Sequence, residues 1–133
     1  MSNLVAHALE PFVLAEGNIE VHEGPNVRVL PRAALAITLA IHELVTNAIK
    51  YGALSVPMGR VRLSWTVEND SLLVVSWKES GGPAVQAPTR KGFGTALIER
   101  GLAGDLHGSA KLDYRPDGVV CTLTCTISAS FSS

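Results

Sequence analysis

The chain has 133 residues, 47% of them hydrophobic and 17% charged, with 11 basic and 12 acidic side chains for a net charge of −1. That length suits a single core, and that composition excludes a disordered chain. With no basic excess there is no broad field for nucleic acid, so a phosphate-bearing ligand has to be held locally. The longest apolar run, Ala33 to Ile41, is broken by Thr38 and falls far short of the ~20 residues of a membrane span. The amino terminus lacks the pattern of a secretory signal, so a cytoplasmic protein without membrane contact is expected.

Ser2 to Glu10 reads as a short helix stopped by Pro11; it has too few turns to stand alone, and its packing partner could lie outside this chain. Ile19-Glu20-Val21 and Val27-Arg28-Val29 alternate apolar and polar residues about a turn, which predicts two short strands or edge segments. Pro31 then marks a helix start, and the apolar pattern runs to Tyr51 with Gly52 as its cap. The first half of this helix, Ala33 to Ala40, is apolar nearly all round and is expected to be buried against a sheet, alone or with a second helix.

In its second half Glu43, Thr46, Asn47 and Lys50 fall at i, i+3, i+4 and i+7, on one face; Ile37, Ile41, Leu44, Val45 and Ala48 make the other. A carboxylate, a carboxamide and an ammonium thus stand in line over about 10 Å of axis, a length that suits a metal-bound triphosphate. The carboxylate can take or orient a proton, the amide oxygen is a hard ligand for Mg²⁺, and the lysine can meet phosphate oxygens. Taken alone, such a stripe is better explained as the solvated side of an amphipathic helix.

Val61, Leu63, Trp65 and Val67 alternate with polar residues in a half-buried strand, Glu68 to Ser71 turns the chain, and Leu72 to Lys78 completes an antiparallel hairpin. Glu79-Ser80-Gly81-Gly82 follows: a carboxylate at a strand end, able to accept a hydrogen bond from an exocyclic amine, then glycines that admit a flat ligand. Pro83 to Gly92 has no periodicity and reads as a mobile loop, closed by Gly92-Phe93-Gly94-Thr95 at the start of a helix whose inner positions are Leu97, Ile98, Leu102 and Leu106. Free N–H groups at that start favour phosphate, although a glycine before a helix is more often a plain cap. Ala110 to Tyr114 and Val119 to Ile127 form the last hairpin. In its second strand Cys121 and Cys125 lie about 13 Å apart, beyond the ~7 Å limit of a disulfide, and read as reduced core thiols.

The order of elements predicts a two-layer α/β (α+β) sandwich, a mostly antiparallel mixed sheet with helices packed on one face. Residues 1–30 are expected to join the domain as helix and strand segments, 31–127 to form it, and 128–133 to be a flexible tail; the whole is one domain.

Glu43-x-x-x-Asn47-x-x-Lys50-Tyr51 resembles the N box of the ATPase superfamily of gyrase B, MutL and the histidine kinases, Glu79-x-Gly81 its G1 box and Gly92-x-Gly94 its G2 box. His42 in the first box and Trp77-x-Glu79 in the second resemble, more narrowly, the HWE sensor histidine kinases, over roughly Pro31 to Ile127. The resemblance implies a Bergerat-type fold and an ATP-binding catalytic domain that transfers the γ-phosphoryl to a histidine. Asn47 would ligate Mg²⁺ bridging the ATP phosphates, Lys50 would contact phosphate, and Tyr51 would line the pocket. Glu79 would replace the aspartate that binds the adenine amine, and Gly81 would admit the purine. Gly92 and Gly94, with Thr95 after them, would shape the lid's end beside the phosphates.

Glu43 occupies the place of the general base of the hydrolysing members, and toward an imidazole nucleophile it would orient more than deprotonate. Arg90 and Lys91 are candidate phosphate contacts or, equally, a solvated charge pair. Pro83 stands where the wider superfamily has a second G1 glycine. His42 reads as a core histidine at the border of the polar stripe, and Trp77 as core or a wall against the base. No acceptor hairpin fits in this chain, and His7, His22 and His107 read as surface or capping residues. The expected partners are therefore ATP, a histidine-bearing dimerisation domain of a longer bacterial kinase, and a response regulator reached through it, as in two-component signalling. The competing readings are a non-catalytic ATP-sensing module and a serine/threonine kinase of the anti-sigma type.

Overall fold

The structure is a computed structural model that describes residues 2–10, 18–69, 71–83, 109–115 and 118–127. Among the described residues two α-helices, α1 (Ser2–Leu9) and α2 (Pro31–Tyr51), accompany five strands: β1 (Ile19–His22), β2 (Arg60–Glu68), β3 (Leu72–Ser80), β4 (Ser109–Arg115) and β5 (Gly118–Thr126). The strands form one sheet in the order β1-β2-β3-β5-β4. β1 runs parallel to β2, and the other neighbouring pairs are antiparallel. This is the predicted mixed sheet, with its single parallel pair at one edge.

Helix α2 begins where proline costs least: Pro31 stands in the first turn, where an N–H would lack an intrahelical partner in any case. Its buried residues, Ala33, Ala36, Ile37, Ala40, Ile41, Leu44, Val45 and Ala48, make one stripe at helical spacing. The stripe joins Leu63, Trp65, Leu73, Val75, Trp77, Cys121, Leu123 and Cys125 of the sheet in a single core. Each fully buried aliphatic side chain there contributes about 1.5–3 kcal/mol. By length and composition α2 would pass for a membrane span, yet its apolar stripe is committed to this core.

Four expectations change. The partner of α1 is α2 itself, since Val5, Ala8 and Leu9 are buried in the same core. The first half of α2 is not covered all round: Leu35 is 61% and Leu39 43% exposed, because the sheet and α1 reach only its other sides. Val27 to Val29 is not a strand. The indole N–H of Trp65 donates to the Pro25 carbonyl at 2.9 Å and holds that segment against β2, while Val27 drops into the core without joining a ladder. Finally, β3 does not stop at Lys78; its ladder with β2 continues through Glu79, opposite Val61, to Ser80, opposite Arg60.

Asn69 turns the β2–β3 hairpin at φ 53°, a left-handed conformation that asparagine tolerates. Cys121 and Cys125 are buried free thiols. The loop and helix expected between residues 84 and 108, and the tail 128–133, lie outside the described residues.

Candidate active site

The inward positions of β3 are Leu73, Val75, Trp77 and Glu79, so strand alternation carries a carboxylate onto the core face. Glu79 is 4% exposed and is the one buried charged side chain among the described residues. A carboxylate so placed costs several kcal/mol unless it is hydrogen-bonded. Both oxygens have donors: Oε1 accepts the backbone N–H of Ala53 at 2.9 Å, and Oε2 accepts the indole N–H of Trp77 at 3.0 Å. Bonds of this kind to a charged acceptor contribute about 1.5–3 kcal/mol each.

The Ala53 donor belongs to the segment that leaves α2, so Glu79 ties β3 to the end of that helix. Gly52 makes the approach possible. Its φ of −115° is open to any residue, but a Cβ there would press into Oε1 of Glu79, lying 3.3 Å from its Cδ and 3.1 Å from the Ala48 Cα. Gly52 still ends the helix, its N–H donating to the Ala48 carbonyl at 3.0 Å.

Along α2 the polar residues emerge as the spacing predicts. Glu43 and Thr46 are half-buried, and Asn47 and Lys50 exposed. The Asn47 amide nitrogen donates to Oε1 of Glu43 at 3.3 Å, which leaves its amide oxygen outside that bond. Tyr51, 74% exposed, is the last residue of the helix and adjoins Gly52. Asn47 therefore lies about 7.5 Å along the axis from Gly52, and Glu43 about 6 Å further. His42 is half-buried, with its Nε2 shut away from solvent, as a core-border histidine should be.

Beyond Glu79, Gly81 takes φ +71° and packs so closely on the Met58 carbonyl that a Cβ would lie 2.8 Å from its oxygen. The facing segment is held from two sides. The Asn18 amide donates to the carbonyls of Pro57 (3.1 Å) and Gly59 (2.9 Å), and the Arg60 guanidinium donates to the same two at 3.2 and 2.9 Å. Arg90, Lys91, Gly92, Gly94 and Thr95 lie outside the described residues.

The structure thus brings Glu79 and Gly81 together with the end of α2, and sets Asn47, Lys50 and Tyr51 along the last turns of that helix. No group of three His, Cys, Asp or Glu able to hold a metal occurs among the described residues. The amide oxygen of Asn47 fits instead a cation that takes one protein ligand and fills its shell with phosphate oxygens and water, as Mg²⁺ does. Burial pushes the thiol of Cys121 up to about 12 and that of Cys125 to about 11, which disfavours the nucleophilic thiolate at both.

Two contributions go beyond the sequence reading. Trp77 reads there as core or a wall against the base, and the structure adds that its N–H donates to Glu79; their spacing is the signal, because residues two apart on a strand share a face. Gly52 was read only as a cap, and nothing local announces a carboxylate 27 positions on.

No protein-family model matches the chain. The blue-light-activated histidine kinase of Brucella anthropi is 37% identical over 132 residues, covering 97% of this chain and 27% of that protein. Blue-light-activated histidine kinase 1 of Erythrobacter litoralis is 38% identical over 130 residues, covering 96% of this chain and 36% of that protein. The chain therefore spans about a third of the length of these relatives, or less. Among solved structures, the histidine kinase domain of the Erythrobacter litoralis blue-light-activated kinase superposes with a TM-score of 0.74 at 20% identity, over 95% of this chain and 60% of that one. The mycobacterial sensor histidine kinase MprB gives 0.71 at 16% identity, over 96% and 94% of the two chains. The catalytic domain of histidine kinase ThkA gives 0.69 at 19%, over 95% and 91%. At these identities the superpositions establish the fold alone, which is that of the histidine kinase catalytic domains. Over nearly its whole length the chain is similar in sequence to about a third, or less, of the blue-light-activated histidine kinases.

Proposed function

We propose that the chain is the ATP-binding catalytic domain of a two-component sensor histidine kinase of the HWE type, and that it binds Mg-ATP and transfers the γ-phosphoryl to a histidine on a separate dimerisation domain. The observation that carries this reading is Glu79: a buried carboxylate on the core face of β3, oriented by two N–H donors, at the end of the helix that bears Asn47 and Lys50. A carboxylate oriented in this way accepts from the exocyclic amine of adenine and repels the carbonyl that guanine presents there.

From that end the nucleotide would run back along α2. Tyr51 would line the base and ribose, Lys50 would meet phosphate oxygens, and Asn47 would give its amide oxygen to the metal. Bound Mg²⁺ supplies neutralisation of phosphate charge. Glu43, half-buried and one turn before Asn47, would orient and polarise the attacking imidazole more than deprotonate it. Phosphoryl transfer needs little covalent help from the protein, so positioning and charge carry the catalysis. Gly92, Gly94 and Thr95, with Arg90 and Lys91, complete the phosphate side in this proposal. In the parent protein the domain would work in the cytoplasm, with a response regulator downstream of the phosphorylated histidine.

Calorimetric titration with ATP and GTP, each with and without Mg²⁺, tests the reading. Metal-dependent binding of ATP in preference to GTP is expected. Equal affinity for the two, or no binding of either, would refute it.

A further inference from the structure

Trp77 is buried to the same degree as its neighbours in the core, yet it differs from Trp65, the other indole of the sheet, in what its N–H does. Trp65 donates to the backbone carbonyl of Pro25, an architectural bond. Trp77 donates to Oε2 of Glu79. We infer that Trp77 is a positioning residue for purine selection: its indole N–H fixes the Glu79 carboxylate in the orientation that tells a 6-amino from a 6-oxo purine. The inference rests on the reading of Glu79 as the group that meets the base.

A glutamate carboxylate turns freely about its last bond, and one donor leaves that rotation open. Here the Ala53 N–H holds Oε1 at 2.9 Å and the indole holds Oε2 at 3.0 Å, from two different elements, so the plane of the group is set. Both donors occupy one site on each oxygen and leave the remaining lone pairs as acceptors only. The indole is itself immobile, 1% exposed and packed in the core with Leu73, Val75 and Cys121. Without its N–H, Oε2 loses its donor, the carboxylate turns about the Ala53 bond, and the amine meets a misdirected acceptor. The triphosphate and ribose contacts are common to both purines and do not register this change.

The experiment is calorimetric titration of the full chain with ATP and with inosine triphosphate, which differs in carrying a 6-oxo group. Four proteins are compared with the wild type: Trp77→Phe; the chain bearing at position 77 the tryptophan isostere in which sulfur replaces the ring N–H; Glu79→Gln; and Trp65→Phe as control. At position 77 both changes are expected to weaken ATP about tenfold and inosine triphosphate little, so that the preference shrinks about tenfold. Trp65→Phe is expected to lower thermal stability and leave the preference intact. If Trp77→Phe does not fold, the sulfur isostere, which keeps the ring volume, decides. An unchanged preference in the isostere overturns the inference and leaves Glu79 as the reader. A wild type that binds both nucleotides alike, or a Glu79→Gln variant that keeps the preference, overturns the reading of Glu79 and the inference with it.

Discussion

Replacing Gly52 by alanine is the sharpest test of the Glu79 junction, because two opposed effects act at one residue. At φ −115° alanine is conformationally acceptable, and restricting the unfolded chain would stabilise the protein by about 0.4–1 kcal/mol. Against this, the new Cβ presses into Oε1 of Glu79 and lies 3.1 Å from the Ala48 Cα. The Cα belongs to a helix and cannot yield, so the carboxylate must retreat by about 1 Å to regain ordinary contact. That displacement breaks the 2.9 Å bond from the Ala53 N–H and leaves a buried carboxylate with one donor, at a cost of about 1.5–3 kcal/mol. The loss exceeds the gain, so Gly52→Ala should destabilise the protein by about 1–2 kcal/mol in urea unfolding. The same retreat should weaken ATP at least about tenfold by titration. A double-mutant cycle isolates the cause: with Glu79→Ala already present, Gly52→Ala should cost nothing or stabilise. An additive cycle, or a single variant as stable as the wild type, would refute the reasoning.

Three further outcomes are expected. Glu43→Gln should keep the ATP affinity while phosphotransfer to a supplied acceptor domain falls about 10²-fold or more, as expected for loss of a group that orients and polarises the nucleophile; unchanged transfer removes Glu43 from the chemistry. Asn47→Ala should abolish the Mg²⁺ dependence of ATP binding, read by titration with and without the metal, and a retained dependence takes Asn47 out of the site. The thiols predict a pH profile. In the folded chain Cys121 and Cys125 hold their protons up to about 12 and about 11, against 9.0 ordinarily, so the folded state binds more protons than the unfolded one above that point. Their contribution is fully present below pH 9.0 and is lost as pH rises through 11 to 12, so the urea midpoint should fall with pH over that window and should fall less when both are replaced by alanine.

The elements with strong local patterns were legible in the sequence. Pro31, the apolar stripe and Gly52 bounded α2 correctly, and alternation placed β2 and the inner face of β5 residue by residue. What failed was pairing between distant segments. Nothing in Ile19 to Val29 says that β1 will run parallel to a strand about forty residues later, or that the second alternating stretch will be tied to Trp65 and kept out of the sheet. The site divides in the same way. Glu43, Asn47 and Lys50 declare themselves because one helix carries them, and Glu79 because glycines follow it. The donors that orient Glu79 come from a strand neighbour whose sequence reading is core or a wall against the base, and from a backbone N–H 26 residues earlier, which no side-chain pattern can advertise.

The parallel edge strand bears on where this domain can be cut. The motifs begin in α2, which invites a boundary at Pro31, yet Ile19 to His22 pair with Val61 to Ser64 and complete the outer edge of β2. A fragment starting at Pro31 would forfeit that pairing, the Pro25 carbonyl that satisfies the Trp65 indole, and the Asn18 amide that braces the segment facing Gly81. It would bare a nine-residue strand with alternating Val, Leu and Trp, the kind of edge that recruits a second copy of itself. A shortened version that precipitates would then report an uncovered strand rather than a defective nucleotide site.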